Sequence, residues 1–293
     1  MRVKAALLSG FVSVSMFAGS GLSAQSNASN AATPKAMTQI RDVQQSMMAV
    51  ADTSSARGSG FAPVFGWVPT MGTHWVNART MMADRKVAMT TPSQIMFSPI
   101  DGKQKLVGAA YAYLTSPTDS TRPTVFDGNP PWHDHQDLAP PGTNLVMLHV
   151  WFVPSPDGPF AGHNPFLPFW AVGLTPPDTV RMRDPAVSKR VRRAALALAE
   201  IADTNGVFPM ISKRPAVQTV LDEHRAAIRA LVPKVEAARG DTKAWDALVD
   251  ELGKHWDPMA EAYLKSAVNP AVNKRMVEHI ESMLGTGHGA HHH

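Results

Sequence analysis

The chain has 293 residues, a formal charge of +4, 12 histidines and no cysteine. The lack of cysteine excludes disulfides, thiolate zinc sites, iron–sulfur clusters and thiol nucleophiles, so stability must come from an apolar core. If Arg2 and Lys4 leave with a cleaved leader, the charge falls from +4 to +2. That is too near neutral to steer a chain of this length towards nucleic acid.

Residues 1–24 read as a secretory signal peptide. Arg2 and Lys4 form a positive n-region, residues 5–18 run apolar and uncharged, and residues 19–24 end in small residues, with cleavage after Ala24. The apolar stretch is shorter and richer in Ser and Gly than the roughly 20 apolar residues a membrane span needs. The expectation is a periplasmic or secreted protein with no integral membrane segment after cleavage. Residues 25–60 then read as a linker and an amphipathic helix. Met37, Ile40, Val43, Met47 and Val50 recur at helical spacing over residues 36–51, and residues 53–60 form a flexible break.

Residues 61–178 read as a β-rich domain, dense in Pro, Gly and aromatics. Strands are expected at 94–98 and 104–114, joined by a turn at 99–103 whose Asp101-Gly102 pair is a hairpin signal. The strongest strand is 145–153. Leu145, Met147, His149, Trp151 and Val153 line one face; Val146, Leu148, Val150 and Phe152 line the other. A strand apolar on both faces is covered on both. In 104–114, Leu106, Gly108, Ala110, Ala112 and Leu114 share a face whose small residues suit close packing against a helix or leave room beside the sheet. Trp151, Phe152, Tyr111 and Trp67 are expected in the core.

Residues 184–285 read as a small helical region, opened and closed by clear signals. Asp184-Pro185, Arg214-Pro215, Asp241-Thr242 and Asn269-Pro270 start helices; Gly206, Gly240 and Gly285 stop them; Pro233 should kink or end its helix. All seven Glu residues lie from Glu200 onwards, which marks the boundary. Residues 286–293 read as a flexible His-rich tail. The fold class expected is α+β, with a β-rich N-terminal domain followed by a small helical region.

The chemistry concentrates in histidine. His74, His133, His135, His149 and His163 all fall in the β-rich part. Imidazole is the commonest metal ligand, and an extended His133-Asp134-His135 points both rings one way. His74, His149, His133 and His135 are therefore the candidate ligands of a divalent transition metal, with Asp134 or Asp137 behind them. The bland alternatives are an exposed loop for His133–His135, a hydrogen-bonded core residue for His149 and a turn cap for His74. His224, His255 and His279 lie on or beside helical stripes. Glu223-His224 and Glu278-His279 are adjacent and cannot converge as di-iron pairs do, so these read as core or boundary residues. Lys189, Arg190, Arg192 and Arg193 read as a solvated helix face. No nucleophile elbow, Walker loop or dinucleotide fingerprint is present, and no catalytic residue can be named.

The His-x-His pair resembles cupin metal sites, but the Glu expected shortly after it is replaced by Gln136, Asp137 and Leu138. Residues 71–165 resemble a family of uncharacterised secreted bacterial proteins. Met71-Gly72-Thr73-His74-Trp75-Val76-Asn77 is similar to a Met-Gly-x-His-aromatic-Val-Asn element. Phe97 to Tyr113 and Leu148-His149-Val150-Trp151, followed by Pro156 to Ala161 and Asn164-Pro165, match in order and spacing. More distantly the segment is similar to TTHB210-like domain proteins. The resemblance implies export and a β-rich domain, carries no activity, and matches His74 and His149 but not His133 and His135. The leading functional expectation is an exported protein with a ligand- or metal-binding β-domain. The alternative is a non-catalytic structural or partner-binding protein; a metal-dependent enzyme is third.

Overall fold

A computed structural model describes residues 30–64, 66–81, 87–135, 138–202 and 206–285. The expected signal peptide, the His-rich tail and Asp137 lie outside these residues.

Helix α1 (Pro34–Ser46) starts at Thr33, whose hydroxyl accepts from the Ala36 N–H, and continues as a 3-10 turn, Met47–Val50. The stretch expected as a flexible break is instead a short helix, α2 (Thr53–Gly58). Asp52 is the reason: its carboxylate caps the N–H groups of Ser54 and Ser55.

Six strands follow: β1 (Ala62–Pro63), β2 (Thr73–Val76), β3 (Gln94–Ile100), β4 (Lys103–Thr115), β5 (His133–His135) and β6 (Asn144–Trp151). They form one antiparallel sheet in the order β1-β2-β3-β4-β6-β5. The β3–β4 hairpin turns on Asp101 and Gly102, both at positive φ (51° and 70°), as a tight two-residue turn requires. A bulge opposite Met96 and Phe97 leaves Val107 as the extra residue and bends the sheet there. A short helix, α3 (Ala78–Met81), follows β2.

Both faces of the sheet are covered. Ile95, Phe97, Ala109, Tyr111, Leu148 and Val150 pack under Ala36, Ile40 and Val43 of α1. On the other face, Met96 and Trp151 pack with Leu167 of α4 (Leu167–Ala171). Trp151, Tyr111 and Trp67 are buried, whereas Phe152 is only half-buried.

The helical region is large, which corrects the expectation of a small one. Helices α5 (Pro185–Ala202), α6 (Pro209–Ser212), α7 (Pro215–Ala237), α8 (Thr242–Lys254), α9 (Trp256–Lys265) and α10 (Pro270–Leu284) follow α4. The four expected helix starts open α5, α7, α8 and α10 and mark only part of this layer. The Pro-led segments of α4 and α6 are helical too, and all pack into one core running from Trp67 and Phe169 to Met283. Pro233 neither ends nor breaks α7. Proline deprives only the carbonyl four residues back, and Arg229 is exposed, so water can replace the missing donor. Gly285 caps α10 in the left-handed region at φ 70°. Among the described residues, no helix is long and apolar enough to cross a membrane.

The basic run of α5 is solvated only in part: Lys189 is exposed, while the three arginines are paired. Arg192 pairs with Asp157 of the β6–α4 connection, Arg190 with Asp246, and Arg193 with Asp257.

Candidate functional site

Strand pairing decides which side chains share a face, because cross-strand partners point the same way. His74 pairs with Met96, Met96 with Gly108, Ala110 with His149, and His133 and His135 with Met147 and Leu145. All four candidate histidines therefore occupy one face, the one turned towards α4.

Two glycines build the approach. Gly72 has φ 75°, and a Cβ there would lie 2.7 Å from the Phe97 carbonyl oxygen. Only glycine lets the chain turn so close to β3 and enter β2 at Thr73, one residue before His74. At Gly108 a Cβ would lie 2.5 Å from the Val150 carbonyl oxygen and 2.5 Å from the Met96 methyl carbon. Gly108 and Ala110 keep the middle of the face low, and imidazoles from either side meet over it.

The rings form a file. His74 Nε2 lies 3.2 Å from His149 Nε2. The His149 ring centre is 5.1 Å from that of His133, which is 4.8 Å from that of His135. His74, His135 and His149 are buried and His133 half-buried. Among the described residues, His133 Nε2, both ring nitrogens of His135 and His149 Nδ1 are buried without a hydrogen-bond partner. Each such group costs about 1–3 kcal/mol in desolvation, so the cluster is expensive as it stands.

Burial sets the charge of the file. It holds His74 at about 4, with His135 adding repulsion, and His135 at about 4, with Asp134 pulling partly back. His133 and His149 are driven well below the ordinary imidazole value, first by burial and then by their histidine neighbours. All four are neutral at pH 7, the form in which imidazole binds a metal.

Two ligands held 2.0–2.1 Å from a tetrahedral ion stand about 3.3–3.4 Å apart. The His74–His149 pair has nearly that separation. No group of three His, Asp or Glu side chains among the described residues is arranged to hold one ion. Asp134 is turned away: Arg122 grips its carboxylate at 2.7 and 2.9 Å, and Asn144 donates to it at 2.9 Å.

His163 makes a separate line to the helical region. Its Nδ1 meets the Thr70 hydroxyl at 2.8 Å, and its Nε2 meets the Ser282 hydroxyl of α10 at 2.9 Å. The order is that of a nucleophile and its base. The chemistry is not: burial pushes His163 down to about 3, and a neutral threonine cannot stabilise an imidazolium. Thr70, held at φ 62°, and Ser282 instead strap the two regions together. Nothing in the sequence near His163 points to Ser282, 119 residues away. In the helical region His224 Nδ1 meets His255 Nδ1 at 3.1 Å, and His279 lies edge-on to Phe208.

No family model, curated protein or solved structure matches this chain.

Proposed function

We propose that this is an exported protein whose sheet holds a divalent transition-metal ion through His74 and His149, with His133 or His135 completing the site. The observation that carries the reading is the 3.2 Å approach of two neutral, buried ring nitrogens next to further ring nitrogens that have no partner among the described residues. An ion would satisfy several of these nitrogens at once, and a rotation of the His133 ring would supply the third ligand. Export is supported by the basic, apolar and small-residue pattern of residues 1–24.

The experiment is metal analysis of the mature chain with residues 286–293 deleted, so that the imidazoles of His288 and His291–His293 do not enter the count. About one transition-metal ion per chain, lost in His74→Ala and His149→Ala, supports the reading. No ion after loading with copper, zinc, nickel and iron overturns it.

A second reading has its own support, since no third ligand is in place among the described residues. There the pair is a buried hydrogen bond that orders the core, one Nε2–H donating to the other Nε2. Metal analysis separates the two.

A further inference from the structure

A second imidazole pair lies in the helical region. His224 sits on α7, and His255 joins α8 to α9. Their Nδ1 atoms are 3.1 Å apart and their ring centres 5.3 Å apart. Both residues are half-buried, so water reaches them. The helices that carry them are fixed. Arg225, next to His224, donates to Glu200 Oε2 at 2.8 Å, and Tyr263 of α9 donates to Glu200 Oε1 at 2.7 Å. One buried carboxylate of α5 therefore ties α7 to α9 and sets the rings facing each other. A proton shared between the rings gains little where water competes for both nitrogens. Two lone pairs at nearly this separation, about 3.3–3.4 Å, fit a tetrahedral ion. Burial first, then His224, hold His255 below the ordinary imidazole value, and Glu251, one helical turn earlier, pulls it partly back. His255 is thus neutral at pH 7 with a lone pair to give, and the Glu251 carboxylate favours a cation beside it.

We propose that His224 and His255 form a second, separate metal site, which takes one divalent ion of the zinc kind through their Nδ1 atoms, with water in the remaining positions. Imidazole with water suits zinc, nickel or copper(II), whereas magnesium and calcium want oxygen ligands that this pair does not offer. The ion would clip α7 to the α8–α9 junction. Because water reaches both rings, it exchanges freely, so titration reads this site and the metal content of purified protein does not. The inference stands on none of the sheet histidines and holds whether or not they bind metal.

The test is a calorimetric zinc titration of the mature chain without residues 286–293, in wild type, His224→Gln, His255→Gln and the double variant. Loss of an outer-shell partner alone costs about tenfold in metal affinity, so each single variant should weaken one zinc equivalent by roughly tenfold or more. Any zinc held by His74 and His149 should stay in all three variants, which separates the two sites. Imidazole nitrogen NMR of the wild type reads the ligand atoms directly should a variant fail to fold: zinc should shift the Nδ1 resonances of His224 and His255. Unchanged zinc affinity and stoichiometry in the double variant, or Nδ1 resonances that zinc does not move, overturn this inference and leave the sheet reading intact. A wild type that binds no zinc overturns it as well, whatever other ion the sheet holds.

Discussion

His74 and His149 meet ring to ring although two strands, β3 and β4, lie between theirs. The contact is possible because β4 presents Gly108 and Ala110 beneath the rings and because the sheet bends at the bulge beside Met96. Small residues here are a requirement of the site.

Filling that hollow should separate the rings. Ala110→Leu places a branched side chain directly opposite His149. Overpacking of this kind costs about 1–3 kcal/mol, so urea unfolding should show a lower midpoint with an unchanged slope. Bound metal should fall in the same variant. A stable Ala110→Leu protein with full metal content would show that Ala110 does not shape the site.

The Arg192–Asp157 pair fastens α5 to the connection after β6, with side chains only 9% and 16% exposed. Asp157→Ala leaves the guanidinium buried and unpaired, which costs about 3–5 kcal/mol. The exposed Lys105–Asp101 pair is the control, and Asp101→Asn should cost less than about 1 kcal/mol. Chemical denaturation measures both, and equal effects would refute the distinction.

Acid should destabilise the metal-free protein. His163 is neutral in the fold down to about 3 because it is buried, and in the unfolded chain it takes a proton near 6.5. Between those values the unfolded state binds more protons, so stability falls as pH falls, by about 1.4 kcal/mol per pH unit for one such histidine. His279, held at about 4, acts in the same direction. Melting temperature should drop below pH 6.5 and change little from 7 to 9. In His163→Gln the acid slope should be shallower. A wild-type profile flat from pH 7 to 4 would contradict this burial.

Much of this architecture is legible in the sequence where the signal is local. Asp101-Gly102 marks the hairpin, the doubly apolar run of β6 marks a covered strand, and Asp241 and Asn269 mark helix starts by capping them. What escapes is non-local. His133–His135 is a three-residue edge strand between proline pairs, and only its pairing with β6 aims it at His149. The extent of the helical layer escapes for a similar reason: α4 and α6 are too short for a periodic pattern and are held by the core they pack into. Arg192 reads as a surface charge until the chain folds Asp157 against it.

The central claim is that the His74–His149 approach is a ligand geometry. Anomalous diffraction from crystals of the metal-loaded chain lacking residues 286–293, collected on both sides of the metal edge, tests it most directly. The account predicts one peak between the two Nε2 atoms, about 2 Å from each. Nitrogens still in mutual hydrogen-bond contact, with no peak between them, would contradict it.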